Sequence, residues 1–356
     1  MEIRPLSYYA KEVRRELSDE VFTAAPSRLL WLPLHVAVIV AGMWLIATDA
    51  GGWWLDALLT IPIGFAFAGM AFVAHETLHG ATVRHPLLRQ ILGGIAFSPF
   101  YISQRHWVAW HNRMHHGHTM QAGVDPDAYP TIEHYHRNLK SRVADHVSFG
   151  GNRVQGVVTL LMGLVGQSIG VLFSSGPNAR YLSPPQYRLA LLETALGLGL
   201  WIGLGLAFGP EVLIFGWLIP LMLGNVVVMS YILTNHCLSP LTELNDPLAN
   251  SLTVTMPGWF ERYTLQFGMH VEHHLFPSVS GRHADKIRAQ LIARWPDRYR
   301  SLPLFTALAR LWRSGRVYKD ATTLIDPRSG VESPTLGQEE VRVRRDHRPQ
   351  AVVLPG

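Results

Sequence analysis

Eight of the chain's 18 histidines fall into three groups, His75-x3-His79, His111-x3-His115-His116 and His270-x2-His273-His274, separated by long apolar stretches. A neutral imidazole is a ligand for transition metals through one ring nitrogen. Residues four apart on a helix lie about 6 Å apart along its axis and project from one face, so His-x3-His is a chelating pair. Adjacent histidines diverge by about 100°, so His115-His116 and His273-His274 can each feed two neighbouring ions. That geometry favours a dinuclear centre. The single cysteine, Cys237, excludes an internal disulfide and any Cys-rich zinc or iron–sulfur site, which leaves imidazole and carboxylate as ligands.

Two other chemistries use similar residues. His75-Glu76-Thr77-Leu78-His79 also satisfies the zinc-protease pattern, with Glu76 as general base. A zinc protease needs three protein ligands and one open position, which leaves most of the other clustered histidines without a purpose. A metal transporter places its site near the bilayer midplane among polar residues of several spans. The apolar runs here hold only His35, Asp56 and Glu193, expected to snorkel, His35 and Glu193 toward the cytoplasmic surface and Asp56 toward the outer one.

The histidines need a scaffold, and composition indicates which. Of 356 residues, 48% are hydrophobic and only 16% charged, too apolar for an ordinary soluble domain and suited to an integral membrane protein with a polar cap. The net charge of +5 comes from arginines outside the apolar runs, a pattern of membrane topology and not of nucleic-acid binding. Residues 1–28 are too charged for a signal peptide and read as a cytoplasmic surface helix. Apolar runs follow at 29–48, 53–74, 154–173, 189–208 and 212–234, each near the roughly 20 residues of a spanning helix; a shorter run at 92–102 cannot cross unaided. Segments 49–52 and 209–211 lack Lys and Arg and are read as outer loops. Arg180 and Arg188, between the third and fourth runs, keep that segment on the positive side. The expectation is therefore an all-α membrane protein with four spans in two hairpins (29–48 with 53–74, 189–208 with 212–234). Residues 154–173 are interfacial or re-entrant, and 75–153 with 235–319 form a cytoplasmic helical cap. The domain covers 29–319, and 320–356 reads as a disordered tail. Under this topology all three groups, and His236 at the end of the last span, reach one membrane face.

The groups read HETLH, HNRMHH and HVEHH, the last continuing Leu275-Phe276-Pro277-Ser278, and over about 29–307 the chain resembles the membrane fatty acid desaturase and hydroxylase superfamily. The resemblance implies a four-helix stem under a cytoplasmic cap, two iron ions and a tunnel for an acyl chain. Carried over residue by residue, the ligands would be His75, His79, His111, His115, His116, His270, His273 and His274, with His236 as the additional histidine and Asn235 holding a metal-bound water. Three residues separate the histidines of the first box, as in acyl-lipid, front-end and carotenoid-modifying members and unlike stearoyl-type ones. The carrier thus stays open among free acid, thioester and lipid-linked chain. His85-Pro86 is followed by leucines and is not a cytochrome b5 haem motif, so electrons are expected from a separate ferredoxin, rubredoxin or cytochrome b5-type donor.

Unactivated C–H bonds resist acid, base and nucleophile alike, so the reaction calls for O2 and a redox metal, and imidazole suits iron. Desaturation is the leading outcome, with hydroxylation or oxidative decarboxylation to a terminal alkene as the alternative; placement of the chain decides among them. Membrane lipid is the expected surround, and the bacterial inner membrane, with the site facing the cytoplasm, the expected location. Asp125 and Glu272 are the leading candidates to orient imidazoles from behind, ahead of Glu76, Asp127 and Asp246. His106 and His118 read as neighbours of the site, and His85, His134, His136, His146, His283 and His347 as surface. Trp107, Trp110, Trp259 and Phe260 read as an interfacial belt. Arg282, Lys286, Arg288, Arg294, Arg298 and Arg300 form a basic surface for an acidic donor or for headgroups.

Overall fold

The computed structural model describes residues 2–175 and 181–337. Helix α1 (Leu6–Arg14) buries Tyr9 and Val13, and Asp246 holds its start to the cap by accepting from Arg4 N (2.8 Å), Tyr9 Oη (3.3 Å) and Arg298 Nη2 (2.7 Å). Helices α2 (Trp31–Ala47) and α3 (Trp53–Leu78) form a hairpin. Its turn uses left-handed backbone at Asp49 (φ 47°) and Gly52 (φ 72°), which glycine adopts without a Cβ clash. Then come α4 (Pro86–Phe97), α5 (Gln104–Trp110), α6 (Ile132–Arg137), α7 (Leu139–Val147), α8 (Val157–Ser175), α9 (Pro184–Phe208), α10 (Pro210–Leu213) and α11 (Ile219–His236). Five segments are long and apolar enough to cross a membrane: Pro26–Ala47, Trp53–Leu78, Val154–Ser174, Pro184–Phe208 and Pro210–His236.

Small residues set the central packing. A Cβ on Gly64 would lie 2.7 Å from the Leu223 side chain, and one on Gly224 3.2 Å from Gly64 O. Glycine thus lets the α3 and α11 backbones approach closely, the usual device where lipid removes the hydrophobic drive between helices. Because α3 runs out at His75–His79 and α11 at His236, this contact brings both histidine groups to one level. On α9, Leu189, Leu192, Leu196, Leu200 and Leu206 remain exposed, the surface of a lipid-facing helix.

The fold adds detail to the expected arrangement and, at the ionisable residues of the apolar runs, departs from it. The short apolar run reaches in between the long helices and turns back. Its Ser98–Phe100 turn is held by Trp201 Nε1 donating to Ser98 O (2.7 Å) and Trp217 Nε1 to Pro99 O (2.9 Å). Helix α8 touches the cap at two points, Thr159 Oγ1 donating to Val147 O (2.6 Å) and Gln167 Nε2 to Pro126 O (3.2 Å), and packs on α11, where Leu164 N donates to Asn225 Oδ1 (3.1 Å). His35 does not snorkel but is buried, its ring stacked on Trp31 and edge-on to Tyr263; a Cβ at residue 69 would occupy its place, so Gly69 makes the room. Asp56 is buried as well, and Glu193 binds Ser103 (2.7 Å) and Arg105 (3.2 Å).

The cap is not purely helical. After α12 (Pro247–Asn250), β1 (Thr253–Thr255) pairs in parallel with β2 (Ser301–Pro303), and between them lie α13 (Gly258–Tyr263), α14 (His270–Leu275) and α15 (Ala284–Arg294). Helix α16 (Leu304–Arg313) leads into β3 (Val317–Asp320), β4 (Thr323–Ile325) and β5 (Glu332–Pro334), an antiparallel sheet whose second and third strands fall in the 320–356 range expected to be disordered. Buried Tyr318 and Leu324 pack on Met120, and buried Arg316 binds Asp145 (3.1 Å). Order there comes from contacts made 170 residues away in sequence, which local composition does not report. The tail beyond 337, with His347, lies outside the described residues.

Candidate metal centre

Helix α3 delivers His75 and His79 from one face of its last turn. The second box is built differently: α5 widens into a π-helical turn over His111–His115, and His116 N bonds to His111 O at 2.8 Å. The wider turn, common at functional sites, makes residues five apart neighbours. His111 Nε2 and His116 Nε2 are 3.2 Å apart, while His115, its ring stacked on His111 with centres 5.0 Å apart, offers its ligand atom to a different set of histidines. In the third box α14 keeps ordinary helical geometry, so His270 and His274 share a face and His273 faces elsewhere.

The result is a division of nine histidines. The ligand atoms of His75, His79, His111, His116 and His273 lie within 4.8 Å of one another, and those of His115, His236, His270 and His274 do likewise. Two nitrogens each about 2.1 Å from one ion are at most about 4.2 Å apart, so both groups are close to metal dimensions. Within the second group His236 Nε2 is 2.7 Å from His270 Nε2, and His270 Nε2 is 3.2 Å from His274 Nε2.

The rings are oriented from behind. His236 Nδ1 lies 3.0 Å from Asn250 O, and a carbonyl only accepts, so the proton is on Nδ1 and the Nε2 lone pair faces inward. Thr119 donates its hydroxyl to His115 O (2.8 Å) and accepts from His274 Nδ1 (3.3 Å), fixing the same tautomer there. Facing lone pairs this close repel unless a cation lies between them, and His75 Nε2 and His79 Nε2 have no hydrogen-bond partner although buried. The donor set fits two imidazole-ligated ions. Burial pushes His111, His116, His270, His273 and His274 well below the ordinary imidazole range, which keeps them in the neutral, ligating form. His115 differs. Burial disfavours its charge, but Asp125 Oδ1 (3.0 Å) and Asp127 Oδ2 (3.1 Å) at its Nδ1 outweigh that and raise it to about 9.

A fatty acid desaturase family model matches residues 51–305, well over half of the chain and all three boxes. The chain belongs to the fatty acid desaturase family. It is 26% identical to the dihydrorhizobitoxine desaturase of Bradyrhizobium elkanii, over 81% of this chain and 83% of that one. To a chloroplastic omega-3 fatty acid desaturase of Sesamum indicum it is 22% identical, over 78% and 64%. To a probable fatty acid desaturase of Sorghum bicolor it is 25% identical, over 85% and 81%. The protein is a membrane oxidoreductase of the desaturase type.

The residues flanking the desaturase site differ in part from the sequence reading. Asp125 Oδ1 hydrogen-bonds His115 Nδ1 at 3.0 Å, and Asp127, given less weight in the sequence reading, adds a carboxylate 3.1 Å from the same nitrogen. Glu272 faces away, accepting from Thr253 Oγ1 (2.7 Å) and Tyr299 Oη; it adjoins His273 in sequence, but one helical step turns it off the site. Glu76 accepts from Arg28 Nε (3.0 Å), Ser280 Oγ (2.6 Å) and Gly281 N (3.0 Å), so it is a structural anchor and no protease base. Asn235 is fully buried, and neither its Oδ1 nor its Nδ2 has a partner. His106 lies 3.4 Å from Tyr181 Oη and joins neither group; His118 is exposed beside Gln121. His283 is buried, not on the surface. Arg294 and Arg298 of the basic surface are paired with Glu16 and Asp246.

Trp107 and Trp110 are buried and form no belt: Trp107 stacks on His111 with ring centres 4.1 Å apart, and both line an apolar cavity. That cavity is small, about 40 Å³, and is bordered by His75, His111, His115, His236 and His270, so it reaches both histidine groups. Trp259 is exposed, as a belt residue would be.

Proposed function

We propose that the five-and-four histidine array holds two iron ions and that the enzyme uses them to oxidise a methylene pair of a fatty acyl chain, giving an alkene. The observation that carries this reading is the division of the nine histidines around one apolar cavity. Iron bound there would supply the O2-dependent chemistry that side chains cannot. Removing two hydrogens from the chain consumes O2, two electrons and two protons and releases two waters.

The protein's own residues hold and shield. Asp125 and Asp127 keep the His115 proton on Nδ1, Asn250 and Thr119 do so for His236 and His274, and Asn235 offers two free polar groups to a water beside His236. Trp107 and Trp110 exclude bulk water from the cavity and hold the chain against the histidines. Electrons come from a separate donor protein.

The same reading places four spans, 29–48, 53–74, 189–208 and 212–234, with the site at the cytoplasmic face. The cap contacts made by α8 support an interfacial helix, and the absence of Lys and Arg from 49–52 and 209–211 supports outer loops there.

The test is metal analysis of the purified protein together with mass spectrometry of acyl products from a host expressing it, beside His273→Ala. The expected result is about two irons per chain and a new internal double bond that His273→Ala abolishes. One zinc and no oxidised product would overturn the reading.

A further inference from the structure

A second small cavity, about 40 Å³, adjoins the first and third boxes and is lined by Phe72, His75, Phe267 and His273. Three residues, Phe72, His75 and Phe267, border both cavities. The two phenylalanines stand three residues before a box histidine, Phe72 before His75 and Phe267 before His270, so each is placed by the element that carries a ligand. Their ring centres are 5.0 Å apart, in contact, and they close the passage between the cavities beside His75.

The closure is braced. Tyr231 meets Phe72 and Phe267 edge-on at 5.8 and 5.9 Å, and His75 meets Phe267 edge-on at 4.8 Å. Phe72 and Tyr231 are each 1% exposed, and a ring packed from several sides in a dense interior does not turn freely. The inner cavity has Leu164, Val228, Ile232 and the tryptophans in its wall, a bed for methylenes. The outer one continues the apolar lining beyond the two rings with Leu265, Phe276, Pro277, Val279 and Ile287, so the phenylalanine pair is what divides one apolar space from the next.

We propose that Phe72 and Phe267, braced by Tyr231, are the stop against which the methyl end of the acyl chain rests, so that this pair sets the distance from that end to the oxidised carbon. The proposal rests on the functional reading above and adds the specificity-determining residues. Shortening either ring joins the two cavities and lets the chain slide past His75.

Two measurements on the full chain in lipid vesicles test it. Product analysis of Phe72→Leu, Phe267→Leu and Phe267→Trp should show longer chains accepted, and the double bond moved by one or more carbons relative to the methyl end, in the leucine variants, with shorter chains favoured by the tryptophan. Unchanged chain length and bond position in the active variants would overturn the proposal. Photolabelling with an 18-carbon fatty acid bearing a diazirine at its methyl end needs no turnover. Label on Phe72, Phe267 or Tyr231 in the unaltered protein, spreading to 276–287 in the leucine variants, supports the stop. Label already on 276–287 in the unaltered protein, or the same map in all proteins, overturns it. Failure of the unaltered protein to oxidise any chain would count against the functional reading, while the label map would still decide on the stop.

Discussion

At the scale of single residues, the two carboxylates behind His115 distinguish it from its eight partners. Asp125→Asn or Asp127→Asn removes a charge from Nδ1 and should weaken metal binding by about 10–100-fold. Chelator competition would measure this, and an unchanged affinity would show the pair to be structural. The division into two groups makes a second prediction: His79→Ala and His274→Ala should each impair a different ion, leaving about one metal per chain with distinct spectra. Identical spectra would contradict separate sites. Eight of the nine histidines were legible as clusters in the sequence because ligand spacing is local, whereas His236 stands alone and came only from the resemblance and its place at the end of the last apolar run. Asp125 was legible too, but Asp127 and Glu272 were ranked in the wrong order, since adjacency along a chain does not say which way a carboxylate points.

At the scale of elements, the π turn at His111–His115 decides which histidine serves which group. An ordinary helix would pair His111 with His115, as the sequence pattern suggests; the wider turn pairs His111 with His116 and releases His115 to the second group. Hydrophobic periodicity carries no signal for one inserted residue per turn. The element before the third box is equally constrained. A Cβ on Gly268 would lie 2.3 Å from Val254 O, and backbone cannot yield as a side-chain tip can. Gly268→Ala should cost about 1–3 kcal/mol and displace His270, so that metal content falls along with the unfolding temperature in detergent. Normal metal content at lowered stability would separate packing from ligand placement.

At the scale of the whole molecule, the long apolar helices were legible in the sequence, whereas the β3–β5 sheet and the buried site tryptophans were not, because both depend on partners distant in sequence. The Arg316–Asp145 contact joins the C-terminal sheet to the cap with both side chains buried. Arg153 Nη2 also binds Asp145 at 3.1 Å; Arg316→Met should destabilise the protein by about 3 kcal/mol, and an unchanged denaturation midpoint would show that Arg153 alone satisfies Asp145. Four spans predict that cysteines at Asp49 and Glu211 react with an impermeant maleimide from one side of the membrane and cysteines at Val154 and Arg188 only from the other. Reaction of Val154 and Arg188 from opposite sides would make α8 a span. The histidine groups also carry a meaning for biogenesis. Each draws on ligands from the first part of the chain and from the 270s, and synthesis proceeds from the N-terminus. If the groups hold the two proposed ions, neither ion would have its full ligand set until α11 is made and α14 has left the ribosome, which would make metal capture a late step that follows membrane insertion and seals a scaffold already assembled.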